Sequence, residues 1–219
     1  MAVTTGGIIK TVGITIAFGL ISEVCYQSYL WWKKKYRTPI PKKKKQECEV
    51  LFFPDNRVAC KSHFIGEGCG KLGCHFSHEP NSLSKLFEYL TKARKSLDVC
   101  VFVFTCSSLA DILVEAHKKG VVVRVITDDE QVDVSNSQIW KLRKEGIIVR
   151  TDRSSFFMHH KFVVVDQAFL MNGSFNWTNQ AITGNQENLM ITYSTDLVQQ
   201  YSQEFDKLWK QFNPQNFIS

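Results

Sequence analysis

The stretch from His159 to Asn188, HHKFVVVDQAFLMNGSFNWTNQAITGNQEN, decides how the rest of the chain is read. Successive side chains of an extended strand point to opposite faces, which places His159 and Lys161 on one face and His160 on the other. An imidazole beside an ammonium suits attack on a phosphodiester. The lysine neutralises phosphate charge, and the histidine can form a covalent phospho-intermediate. Four residues separate Lys161 from Asp166, and six more separate Asp166 from Gly173-Ser174-Phe175-Asn176. Ser174 and Asn176 share a strand face and can donate to the same phosphate oxygens. Glu187, eleven positions past Asn176, is placed to accept from the His159 ring and fix its tautomer.

Outward from this stretch, strand-like and helix-like segments alternate. CEVLFFP (48–54) reads as a strand, and SLSKLFEYLTKARKS (82–96) repeats its apolar residues at helical spacing. DVCVFVFT (98–105) is a buried strand, SSLADILVEAHKKG (107–120) a helix closed by Gly120, and VVVRVIT (121–127) another strand. A helix over 135–146 precedes the strands IIVR, KFVVVD and ENLMITYS, and an amphipathic helix runs from Thr195 to Phe212. Such alternation predicts an α/β sandwich, with no repeat of the whole unit.

The N-terminal part differs. Residues 11–32, TVGITIAFGLISEVCYQSYLWW, carry Glu23 as their sole charge, and 22 helical residues span roughly 30 Å, a bilayer's hydrocarbon core. Tyr29, Trp31 and Trp32 close the run at interfacial depth, and a basic strip, KKKYRTPIPKKKK (33–45), follows at once. A tail (1–10), a transmembrane anchor (11–32), a basic linker (33–45) and a catalytic domain (46–219) are therefore expected, with the domain on the cytosolic side by the positive-inside rule. The net charge of +6 sits in that strip, since residues 46–219 carry 18 basic and 20 acidic side chains. Anionic lipid and nucleic acid are both candidate partners for the strip. The odd cysteine count, seven, argues against a disulfide framework and for a reducing compartment.

A second cluster precedes the core: Cys60, Cys69, Cys74 and His78. Three thiolates and one imidazole make a closed tetrahedral zinc set, suited to a structural clip rather than to catalysis. Cys48, His63 and His75 are alternative ligands, and Phe64 and Phe76 are candidate stacking aromatics.

The core stretch matches His-x-Lys-x4-Asp-x6-Gly-Ser-x-Asn, and the chain thereby resembles the phospholipase D superfamily. The resemblance implies an α/β sandwich with a mixed central sheet flanked by helices. It implies His159 as nucleophile, with Lys161, Ser174 and Asn176 binding phosphate. Asp166 would support the site, Glu187 would orient a histidine, and His160 stays structural. Members of double length carry the motif twice, one histidine attacking while the other protonates the leaving group. Here it occurs once, and His117 lacks the partner residues. A two-fold homodimer would bring two His159 rings together. No catalytic metal is expected.

The cysteine–histidine spacing resembles the C-x8-C-x4-C-x3-H zinc finger. Anchor, basic strip, finger-like insertion (60–78) and single motif together resemble the mitochondrial phospholipase D family, also known as Zucchini. That resemblance implies a single-pass outer mitochondrial membrane protein. It implies cutting of single-stranded RNA precursors of piwi-interacting RNAs, with piwi-pathway proteins as partners, or hydrolysis of cardiolipin to phosphatidate. RNA cutting is expected first and lipid hydrolysis second. Arg150 and Arg153 are candidate phosphate contacts for RNA, and Phe156, Phe157 and Met158 are candidate walls for acyl chains. A scaffold with incidental activity is the third class.

Overall fold

The computed structural model describes residues 5–36, 48–66 and 68–217, with side chains from residue 20 onward. It divides into two units, Met1–Lys45 and Gln46–Ser219. In the first, helix α1 spans Thr5–Lys35 and contains the expected anchor. Among the described residues no helix is long and apolar enough to cross a membrane. Side chains 11–19 of the expected span, and residues 37–45 of the basic linker, lie outside the described residues.

The second unit is built on one seven-stranded sheet. Strands β1 (Cys48–Phe53), β2 (Ser96–Val101), β3 (Val122–Thr127) and β4 (Ile148–Thr151) come first in the chain. β5 (Lys161–Val165), β6 (Phe169–Gly173) and β7 (Glu187–Thr192) follow. The spatial order is β1-β7-β6-β5-β2-β3-β4, with β2, β3 and β4 parallel and the other pairings antiparallel. The sheet is thus mixed, as the resemblance implied. The helices of this unit are α2 (Lys61–Ile65), α3 (Ser82–Leu90), α4 (Ser107–Lys118), α5 (Ile139–Lys144), α6 (Asn179–Thr183) and α7 (Thr195–Gln211).

Helices lie on both faces because the apolar residues fall in two sets. α3 buries Leu83, Leu86, Phe87 and Leu90, one turn apart along one side, and joins α4 and α5 over the odd-numbered residues of β5, Val163 and Val165. α7 buries Val198, Phe205 and Leu208 against Cys100, Ile126, Phe162, Val164 and Leu170 on the other face. A capping box starts α3: the Asn81 side chain accepts from the Ser84 N–H, and the Ser84 hydroxyl accepts from the Asn81 N–H. α3 ends at Leu90 rather than at residue 96, and α5 begins at Ile139 rather than at 135. One buried charge ties α7 to the sheet: Asp98 on β2 accepts from Arg124 Nε at 2.7 Å, and Arg124 also pairs with Asp206 on α7.

The register fixes where chemistry can occur. Val101 pairs with Lys161, Gly173 with Leu189, and Phe53 with Glu187. One edge of the sheet therefore collects the starts of β5 and β7 and the ends of β1, β2, β3, β4 and β6.

Candidate active site

Three of the six residues expected to do chemistry, His159, Ser174 and Asn176, flank strand ends at this edge, and two more, Lys161 and Glu187, open β5 and β7. His159 lies two residues before β5 and is exposed. Strand alternation does not set its direction, because the strand begins at Lys161 and His160 is exposed as well. What holds the pair is local contact. Lys161 Nζ donates to the His159 carbonyl at 2.8 Å. The Phe102 ring, just past β2, meets the His159 ring at 4.6 Å and lies 5.3 Å from Lys161 Nζ. Burial pulls the Lys161 ammonium below the usual lysine range, while the nearby Glu187 carboxylate opposes that shift. Upstream, the Met158 N–H donates to buried Asp128 at 2.9 Å, which fixes the backbone leading into His159.

Ser174 and Asn176 follow β6, outside the strand. Gly173 is required there by packing: a Cβ on it would stand 2.0 Å from the Asn188 carbonyl oxygen of β7. That close approach lets Ser174 N–H donate to Asn188 O and lets Ser174 Oγ accept from Asn188 N–H. Ser174 Oγ also donates to Glu187, and Asn185 Nδ2 donates to the other Glu187 oxygen at 3.0 Å. Glu187 thus meets Ser174 and Asn185 within one chain and makes no hydrogen bond with His159 among the described residues. A carboxylate accepts about four hydrogen bonds, so room remains for an imidazole. The Asn176 side-chain oxygen is buried without a partner.

Asp166 is not brought to this edge. It closes the opposite end of β5, a strand's length or about 17 Å from Lys161. Its carboxylate accepts from the N–H groups of Arg94, Lys95 and Ser96 at 2.8, 2.7 and 2.8 Å. Burial raises its pKa, but these three donors outweigh burial and leave it below the usual carboxylate value. Asp166 and Gln167 both adopt positive φ, so the carboxylate stitches a strained hairpin turn onto the start of β2. Asp166 thus anchors the end of the strand that carries Lys161, away from His159.

Arg150 is also turned away from this edge. Its guanidinium lies 4.3 Å from the Trp209 ring and donates to the Trp209 carbonyl, and Arg153 packs over Phe217 at 5.1 Å. Phe156 and Phe157 are 83% and 62% exposed and share a cavity of about 540 Å³ with His159 and His160, whereas Met158 is buried. Phe102, Asp128 and Asn185 escaped the sequence reading. They carry no motif signal; the strand order brings Phe102 and Asp128 towards His159, while Asn185 stands two residues before Glu187.

The second cluster forms as a unit. Cys60 N–H donates to Ser77 O, and Ser77 N–H donates to Val58 O, which sets Cys60 beside His78. One ligand atom each from Cys60, Cys69, Cys74 and His78 lie within 4.8 Å of one another, and the three thiols are free. His78 Nε2 is buried without a partner. These residues fit a structural metal ion. The alternatives separate from them: Cys48 and His75 are exposed elsewhere, and His63 stacks on the His78 ring at 4.4 Å. Phe64 packs against the core, which leaves Phe76, 51% exposed, as the free aromatic of the pair.

The family description "Cardiolipin synthase, PLD-like domain" matches residues 86–209. A mitochondrial cardiolipin hydrolase of Chlamydomonas reinhardtii is 44% identical over 164 residues, covering 75% of this chain and 74% of its own. One from Homo sapiens is 39% identical over 197 residues, covering 85% and 74%. Among solved structures, the phospholipase D family member Nuc from Salmonella typhimurium superposes with a TM-score of 0.60 at 23% identity. It spans 76% of this chain and 95% of its own, and supports the fold.

Proposed function

The chain belongs to the phospholipase D superfamily and, within it, to the mitochondrial cardiolipin hydrolases, and on that premise we propose how this hydrolase works and on what. The carrying observation is the gathering of His159, Lys161, Ser174, Asn176 and Glu187 at one sheet edge. His159 attacks phosphorus, Lys161 neutralises the charge that develops on the phosphate oxygens, the Asn176 amide N–H donates to them, and the Ser174 hydroxyl joins by turning its proton from Glu187 to the phosphate. The bond to the leaving alkoxide breaks as the N–P bond forms, giving a phosphohistidine. A second imidazole protonates the alkoxide, then takes a proton from the water that hydrolyses the intermediate. With one motif per chain, that second imidazole is His159 of another copy in a two-fold homodimer. Glu187, with acceptor capacity to spare, orients one of the two rings. The imidazole is itself the nucleophile, so no step calls for a divalent metal. Zinc held by Cys60, Cys69, Cys74 and His78 would clip the 60–78 insertion, away from the reaction.

Cardiolipin is the substrate read first here. The relatives are named for it, and Phe156 and Phe157 offer apolar surface beside His159. The helix over 11–32 and the basic strip would hold the domain at the cytosolic face of the outer mitochondrial membrane. Single-stranded RNA, and with it a place among piwi-pathway proteins, is the second reading, favoured by an uncharged polar cavity at the same edge. The purified chain offered cardiolipin liposomes and single-stranded RNA in parallel tests the order, with His159→Ala as control. Hydrolysis of RNA alone would reverse it. Mixing His159→Ala subunits with wild type should depress activity more steeply than dilution; a linear response would refute shared sites.

A further inference from the structure

We propose that an uncharged cavity beside the catalytic edge receives one nucleobase of a single-stranded RNA next to the scissile phosphate, an inference that rests on the RNA reading above. The cavity, of about 420 Å³, is lined by Ser107, Asn136, Gln138, Thr178, Asn179 and Gln180. Every residue lining it carries a hydroxyl or a carboxamide, and none carries a charge. Its size falls within the range of small-molecule sites.

Backbone pairing beyond the sheet assembles it from three distant segments. Trp177 N–H donates to Val103 O at 3.1 Å, and the Thr105 and Cys106 N–H groups donate to Trp177 O at 2.9 and 2.8 Å. Gln138 N–H donates to Phe104 O at 2.9 Å. The segments 103–107, 136–138 and 177–180 are thereby locked side by side. Thr178 stands two residues past Asn176, at most about 7 Å along the backbone. Thr178 N–H folds back onto Asn176 O at 2.9 Å and shortens that reach. A group one link away from a phosphate on Asn176 can therefore enter.

The hydrogen-bonding capacity is largely unused. The side chains of Ser107, Asn136 and Asn179 make no hydrogen bond among the described residues. Gln138 donates one N–H to Asn136 O and Gln180 one to Asn185 Oδ1, leaving each a second N–H and the carbonyl oxygen. A phosphate finds no cation here. An acyl chain would cover these hydroxyls and amides, exchanging their water for no partner. A base edge presents donors and acceptors side by side, which carboxamides pair with in bidentate fashion.

The test digests a random-sequence single-stranded RNA with the full chain and sequences the new ends. One fixed position beside the cut should show a base preference of about three- to tenfold, the worth of one hydrogen bond. Asn179→Ala and Gln138→Ala should bring that ratio towards one. The ratio is internal to each digest and is independent of how much active protein a variant yields. RNA carrying 4-thiouridine beside the cut site should crosslink to peptides 136–138 or 177–180 of the unmutated chain. Flat base frequencies, a ratio unmoved in both variants, or crosslinks confined to other peptides would overturn the proposal. Hydrolysis of bis(p-nitrophenyl) phosphate with no RNA cut would overturn the RNA reading itself, and the cavity's role with it. A raised KM for cardiolipin vesicles in the two variants, with RNA preference intact, would assign the cavity to a glycerol headgroup instead.

Discussion

The Phe102 ring stands edge-on to the imidazole of His159, with centroids 4.6 Å apart and planes at 62°. The same ring lies 5.3 Å from Lys161 Nζ and 5.6 Å from the Phe157 ring. One side chain, just past the end of β2, thus contacts His159 and Lys161 together.

Phe102→Ala removes both contacts, an aromatic pair and a cation–π interaction each worth about 1 kcal/mol. The expected loss is at least tenfold in kcat, with the chain still folded by circular dichroism, since Phe102 is only half-buried. Phe102→Tyr should retain most of the rate. Equal rates for Phe102→Ala and wild type would remove the ring from the mechanism.

Burial holds Lys161 below the ordinary lysine value of about 10.4, and the proposed phosphate contact uses its charged form. A lowered pKa means that the ammonium is lost earlier as pH rises. The basic limb of the kcat/KM profile should therefore fall below pH 10.4. Lys161→Arg, slower overall, should lack that limb because a guanidinium stays charged. A wild-type basic limb unchanged in Lys161→Arg would assign the titration to another group.

Gly173→Ala drives a methyl group into the Asn188 carbonyl. The backbone must move, at about 3 kcal/mol, and Ser174 moves with it. A fall in Tm of roughly 6 to 12 °C is expected in thermal unfolding, with activity lost beyond that shift. A variant as stable as wild type would show that β6 and β7 can separate freely there.

The thiol cluster predicts one bound zinc per chain by elemental analysis of protein grown with zinc, lost in Cys69→Ser with a lowered Tm. Protein saturated with zinc salt that retains none, with the thiols reduced, would refute the clip.

Much of this architecture was legible in residues 159–188. The apolar runs gave the strands, and the Gly173-Ser174-x-Asn176 spacing reflects the close passage of β7, which no side chain at 173 survives. Asp166 was legible as essential to the pattern but not in its place, because a turn carboxylate and a catalytic one look alike in sequence. Its three backbone donors come from residues about 70 positions earlier. Phe102 and Asp128 were hidden for the same reason: each lies in a buried run, and only the order β5-β2-β3 makes them neighbours of His159. Arg150 looked like a substrate contact because sequence cannot tell a free guanidinium from one stacked on Trp209.

The central claim is that His159 becomes covalently phosphorylated during turnover. Rapid mixing with bis(p-nitrophenyl) phosphate, alkaline quenching and mass spectrometry of the peptides test it most directly. The account predicts a nitrophenyl-phosphoryl adduct on the peptide containing His159, formed with the initial burst of nitrophenol and absent from His159→Ala. Turnover without any adduct, or an adduct that persists in His159→Ala, would contradict it.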